Sequence, residues 1–225
     1  VDSAYGDSSF GASWAPGGQL VTASYDGKLR LYRVEAARLH KLAEVASPGG
    51  ARPHRVAFSP DGRSVAVGHA DTARVAVLDG ATLALQFEPS TAGVANGQLP
   101  LVAFSANGQA LAAAGSWQQG GRTQVRSWPQ AGRGQPVDTA VAANTVLALA
   151  ALPGAGWLVG MGDPLWGVLS TAGVFAARGL PPTADLRGST GPALQLASGG
   201  RSVQFGYLAG GQDPYRFDLA ARQLL

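Results

Sequence analysis

Short apolar runs alternate along the chain with clusters of Gly, Pro, Asn and Asp, and they do so in a repeating order. An apolar strand is followed by a Pro/Gly or Asn/Gly turn, a second strand of small apolar residues, an Asp-centred turn and a third strand. The clearest copies begin at Phe10, Val56 and Val102; weaker ones begin at Leu149 and Leu194. Pro16-Gly17-Gly18, Pro60-Asp61-Gly62 and Ala106-Asn107-Gly108 each place residues that tolerate positive φ between two β-prone runs, which predicts a tight hairpin. Taking Trp14, Phe58, Phe104, Ala151 and Leu196 as equivalent, the spacings are 44, 46, 47 and 45 residues.

A period of about 40 to 45 residues holding four strands predicts an all-β fold, a β-propeller with about five four-stranded blades, rather than a helical solenoid. The units span approximately 9–46, 53–88, 100–141, 145–178 and 192–225, within one propeller region covering 1–225. The second strands, such as Val65-Ala-Val67 and Leu111-Ala-Ala-Ala114, are small and suit close packing near the axis. Trp14, Phe58 and Phe104 are expected to fill the wider space between neighbouring sheets. Outer strands are expected at 41–45, 82–87, 136–141, 173–177 and 222–225, joined by Gly/Pro-rich connectors that predict surface loops. Two arrangements follow: part of a larger propeller, or a complete five-bladed ring in which residues 1–7 supply an outer strand of the last unit. An open arc leaves unpaired sheet edges.

The stretch Ser24-Tyr-Asp26-Gly27-Lys-Leu-Arg-Leu-Tyr32, with Phe58-Ser-Pro60-Asp61-Gly62, resembles the WD-repeat (WD40) family of β-propellers. The resemblance covers nearly the whole chain, is strongest in the first three units, and departs from the family pattern in two ways. No Gly-His pair precedes a first strand, and no Trp-Asp pair closes a third; Leu31-Tyr32 and Ser127-Trp128 stand there instead. The hydrogen-bond relay that braces blades in this family is therefore expected to be incomplete. The resemblance implies a protein-interaction scaffold or sensor domain, in bacteria often attached to an effector enzyme.

Composition narrows the alternatives. With 46% hydrophobic and 14% charged residues among 225, the chain can bury a core and has no disorder-prone segment. Fifteen Arg against two Lys, scattered singly, give a net charge of +3 without a basic run, so nucleic acid is not an expected partner. The Arg-rich, Lys-poor composition points to a bacterial source. There is no Cys, and no signal peptide is recognisable; the expected compartment is the cytoplasm, with the periplasm open. Residues 139–162 carry no charge, but Asn144, Pro153, Gly154 and Gly156 interrupt them, so a buried sheet is expected and no membrane span.

Candidate chemistry is sparse. Asp26, Asp71, Asp163 and Asp213 recur at the turn between second and third strands, where repetition favours a fastening role over a ring of ligands; Asp61, Gly62, Asn107 and Gly108 are hairpin residues. His40, His54 and His69 lack ligand spacing, and no metal or other cofactor is expected. No nucleophile elbow or phosphate-binding loop is present, so the region is expected to be non-catalytic. The turns between second and third strands offer Tyr25, Lys28, His69, Trp117, Gln118, Arg122, Trp166 and Tyr215 for a protein or peptide partner, including the segment that would supply remaining blades. A propeller enzyme or small-ligand binder using a central channel is the alternative. A polar, acid-lined channel would favour it and an Ala/Gly/Val wall would not.

Overall fold

Each repeat unit becomes one sheet of four antiparallel strands in the computed structural model, which describes residues 2–36, 38–154, 156–162, 165–178, 194–196, 201–205 and 215–224. Blade 1 holds β1 (Ser9–Trp14), β2 (Gln19–Ser24), β3 (Lys28–Glu35) and β4 (Arg38–Ala46). Blade 2 holds β5 (Pro53–Phe58), β6 (Ser64–His69), β7 (Val75–Asp79) and β8 (Leu85–Phe87). Blade 3 holds β9 (Leu101–Phe104), β10 (Ala110–Gln119), β11 (Arg122–Pro129) and β12 (Val137–Ala142). Blade 4 holds β13 (Val146–Leu152), β14 (Gly156–Met161), β15 (Trp166–Leu169) and β16 (Phe175–Ala177). Blade 5 holds β17 (Leu194–Leu196), β18 (Ser202–Phe205), β19 (Tyr215–Asp218) and β20 (Gln223–Leu224). The strands run in chain order across every sheet, and one 3-10 turn at Gln130–Gly132 is the sole helical element among the described residues. The fold is a β-propeller in which, among the described residues, the five sheets do not close into a ring.

The hairpins form as their residues dictate. Asp61 accepts hydrogen bonds from Ser59 Oγ (2.6 Å) and the Arg63 N–H (3.1 Å), and Gly62 takes φ 73°. Asn107 repeats this with Ser105 Oγ (2.8 Å) and the Gln109 N–H (3.0 Å), and Gly108 takes φ 71°. The outer strands fall near their expected places in blades 1 to 4, but β4 is longer, starting at Arg38, and β8 and β16 are shorter, starting at Leu85 and Phe175.

Three apolar clusters fill the gaps between successive blades. Val21, Ala23, Leu29 and Leu31 of blade 1 meet Phe58, Val65, Val67, Ala76 and Leu78 of blade 2. Ala66, Val75 and Val77 of blade 2 meet Phe104, Leu111, Ala113 and Trp128 of blade 3. Ala103, Ala112, Ala114 and Val125 of blade 3 meet Trp157, Val159, Met161 and Leu169 of blade 4. Blades 2 and 3 are therefore apolar on both faces, as their near-continuous apolar strands require. Close approach demands glycine at Gly68, where a Cβ would lie 2.5 Å from the Leu99 carbonyl oxygen and 2.7 Å from that of Pro100.

Two expectations are corrected. Phe58 and Phe104 are buried between sheets, but Trp14, in the same position of blade 1, is 58% exposed, and among the described residues no sheet stands against it. Residues 2–7 join no strand of the fifth sheet; they lie across blade 1. There Arg30, buried, grips Asp26 (2.6 Å), Glu44 (3.2 Å) and the Ala4 carbonyl (2.9 Å), with the Tyr5 ring 4.2 Å from its guanidinium carbon. Burial pushes the Asp26 carboxyl up, but Arg30 and the N–H groups of Gly6 and Lys28 overcome this and hold it well below the usual carboxylate range.

Candidate functional site at the inner-strand rim

The inner strands β1, β5, β9 and β13 stand side by side, each touching the next. Three of them are bulged at the same place. The register skips between Ser9 and Gly11, between Pro53 and Arg55, and between Val146 and Ala148. The residues left over are Phe10, His54 and Leu147, each four positions before the equivalent Trp14, Phe58 and Ala151. A bulge leaves its extra residue unpaired and re-aims the side chain. Phe10 is 47% and Leu147 59% exposed, while His54 is half-buried.

Phe10 and His54 meet across the seam between blades 1 and 2, their rings stacked with centroids 5.3 Å apart. Tyr25 completes the group, 4.2 Å from Phe10 by ring centroids, with its hydroxyl 2.9 Å from His54 Nδ1. Burial lowers the His54 imidazole below its ordinary value and raises the Tyr25 phenol, so at neutral pH an un-ionised phenol shares a hydrogen bond with a neutral imidazole. The Arg52 guanidinium stands 5.8 Å from the Tyr25 ring. The result is a rigid aromatic ridge with one half-exposed ring. None of the five inner strands carries an Asp or Glu, and the exposed residues of the four described in full are Ser9, Phe10, Ala12, Trp14, Arg55, Leu147, Ala148, Ala150 and Ala151. Among the described residues no three His, Asp or Glu cluster to hold a metal ion, and no helix is long and apolar enough to cross a membrane.

Where they are described, the residues singled out at the turns have separate partners. Lys28 pairs with Glu44 (2.6 Å) toward the outer strand. Trp117 is buried beneath the Arg126 guanidinium, 4.9 Å from its ring, and His69 is fully buried, so neither offers surface to a partner. Gln118 Nε2 reaches the Ala143 carbonyl (3.4 Å), Arg122 is exposed at the start of β11, and Trp166 packs edge-on against Phe217 (5.4 Å). Tyr215 lies in β19, its side chain outside the described residues, as are Asp163 and Asp213. Asp71 reaches beyond its own turn: it accepts from the N–H groups of Ala51 (2.8 Å) and Arg52 (3.1 Å) in the connector entering the same blade. Asp26 holds the Gly6 N–H (3.0 Å) likewise, and the Lys28 N–H (3.1 Å) within its turn.

His69 forms a brace of its own. Its Nδ1 lies 2.9 Å from the Arg74 carbonyl and its Nε2 2.7 Å from Ser47 Oγ, so the neutral ring donates at Nδ1 and accepts the Ser47 hydroxyl at Nε2. Burial depresses its pKa, and that of His54, from 6.5. Stability from a depressed histidine is complete above the unfolded value and is lost as pH falls toward the folded one. Unfolding free energy is therefore expected to decline below pH 6.5, by up to about 1.4 kcal/mol per pH unit for His69. Urea midpoints between pH 7.5 and 5 check this, and His69→Gln is expected to flatten the slope.

No family model matches the sequence, and no curated relative matches it. Among solved structures the chain is similar to U3-55K, with 17% identity, a TM-score of 0.65, and coverage of 77% of this chain and 52% of that one. It is also similar to the dihydro-heme d1 dehydrogenase NirN, solved in complex with DHE, with 19% identity, a TM-score of 0.64, and coverage of 95% and 45%. These likenesses establish the propeller fold, and the chain spans about half the length of each neighbour.

Proposed function

We propose that this region is a non-catalytic docking scaffold of the WD-repeat type, part of a larger bacterial effector or regulatory protein, and that it binds a protein or peptide at the inner-strand rim. The observation that carries this reading is the repeated bulge, which sets Phe10, His54 and Leu147 at equivalent positions of three blades. A half-exposed aromatic on a rigid strand loses little conformational entropy when it is covered, which suits an interface anchor. The absence of carboxylates from the inner strands supports docking over channel catalysis. NirN is named for an enzyme, and the carboxylate-free inner strands favour docking over that reading.

The test uses Phe10→Asp/Leu147→Ser beside the wild type in affinity capture from cells of the source organism. A partner retained by the wild type and lost from the variant, with unchanged far-ultraviolet circular dichroism, is expected. Equal retention by both proteins would exclude the rim.

A further inference from the structure

Blade 1 presents to solvent the face that blades 2 and 3 bury. The three hairpins are equivalent: the N–H of Gly18, Gly62 and Gly108 donates to the carbonyl of Ala15, Ser59 and Ser105, and Trp14, Phe58 and Phe104 come just before. Side chains paired in register across a sheet share a face. In blade 2 the row Phe58–Val65–Leu78 packs against blade 1, and in blade 3 the row Phe104–Leu111–Trp128 packs against blade 2. The matching row of blade 1 is Trp14–Leu20–Tyr32. Tyr32 is covered by Asp2 (2.8 Å) and Tyr5 (3.1 Å), but Trp14 is 58% exposed and Ala12 beside it is open.

Residues 2–8 also follow the course of the connectors that enter blades 2 and 3. Gly6 N–H donates to Asp26 as Ala51 N–H donates to Asp71. Tyr25 N–H donates to the Ser8 carbonyl as Ala70 does to Arg52 and Ser116 to Gln98. Arg30 grips the Ala4 carbonyl as Arg126 grips those of Ser90 and Ala92. The connectors 47–52 and 88–100 arrive from β4 and β8, the outer strands of the preceding blades. The course of residues 2–8 therefore leads back to an outer strand standing beside the Trp14 face.

We propose that the Trp14 face of blade 1 is the seat of a further four-stranded blade of the same polypeptide, one whose outer strand runs directly into residues 2–8. Its facing surface is small and aliphatic, like the Val21, Ala23, Leu29 and Leu31 face and the Ala66, Val75 and Val77 face that receive Phe58 and Phe104. The described part of blade 5 does not offer such a face. Phe217, paired with Val203, turns toward Trp166 of blade 4, so by strand alternation the opposite side carries the Gln204–Arg216 pair. This seat is independent of the rim: either could fail with the other intact.

The test is site-specific photo-crosslinking in the full-length gene product with p-benzoylphenylalanine in place of Trp14. Intramolecular adducts to residues upstream of Asp2 are expected. Adducts to residues 194–224, adducts to a second molecule, or no adduct would each overturn the proposal. In the same full-length protein, Trp14→Ala is expected to lower the folding equilibrium by at least about a hundredfold, as truncating a buried aromatic does. A change below about threefold, typical of an exposed site, would equally overturn it. Trp14→Phe, the residue used by blades 2 and 3, is expected to keep most of the stability.

Discussion

Trp157→Ala is expected to cost about 3–5 kcal/mol of unfolding free energy, the range for truncating a buried aromatic whose site cannot collapse. The Trp157 side chain is fully buried between blades 3 and 4, among Ala103, Ala112 and Ala114, and those alanines have no rotamers with which to fill a void. Its Nε1 also donates to the Ala103 carbonyl (3.0 Å), a bond across the seam that disappears with the ring. Trp157→Phe separates the two contributions: it keeps most of the apolar contact and leaves the carbonyl without that partner, for about 1 kcal/mol. Urea unfolding of both variants checks this. Equal losses would mean that the hydrogen bond, rather than the buried volume, holds the seam.

The same residue shows why the fourth unit is faint in sequence. In blades 2 and 3 the large ring sits on the inner strand and a Val or Leu faces it on the next, giving the pairs Phe58–Val65 and Phe104–Leu111. In blade 4 the pair is Ala151–Trp157: the ring has moved to the second strand and the small residue to the first. Volume in the seam is kept, yet a pattern that looks for an aromatic on the first strand loses the unit. Strand order and unit boundaries survive such exchanges because they depend on hairpin chemistry, which Asp61-Gly62 and Asn107-Gly108 state outright. Trp14 reads in the sequence just as Phe58 and Phe104 do, but whether a neighbouring sheet covers it is a property of assembly, not of its own segment.

The rim was much less legible. A bulge adds one residue without changing the apolar run around it, so Phe10 and Leu147 read as ordinary strand positions until the register is known. Their recurrence four places before Trp14 and Ala151 is the trace that an alignment of the units by hairpin could have exposed. Two of the turn residues are withdrawn from the surface for a different reason. Trp117 and His69 lie next to turns, but the strand ends there are covered by the incoming connectors, which bury them. Asp26 and Asp71 were readable as fasteners, whereas their reach to a connector about twenty residues away at Gly6 and Ala51 required the fold.

Arg126→Ala is expected to cost about 1.5–3 kcal/mol, the range for losing the charge-assisted hydrogen bonds of a buried guanidinium whose partner, Asp138, stays in water. From sequence, Arg126 is one of many scattered arginines; in the fold only 3% of it is exposed. Its guanidinium donates to both oxygens of Asp138 on the neighbouring strand (2.7 and 2.8 Å) and to the carbonyls of Ser90 (3.3 Å) and Ala92 (2.8 Å). It thus ties the connector between blades 2 and 3 onto blade 3, as Arg30 ties residues 2–7 onto blade 1. Arg126→Lys is expected to recover little, because an ammonium cannot span two carboxylate oxygens and two carbonyls in one plane. Arg74 and Glu88 give the comparison: that pair is about half and one-third exposed, and its loss is expected to cost no more than about 1 kcal/mol. Limited proteolysis within 88–97 distinguishes the two, since only loss of Arg126 frees the Ala92 carbonyl, while the Ser90 carbonyl keeps its bond from Trp128 Nε1 (3.0 Å). Similar unfolding costs and similar cleavage rates for Arg126→Ala and Arg74→Ala would show that the connector is held by its apolar contacts at Val94 and Leu99 instead.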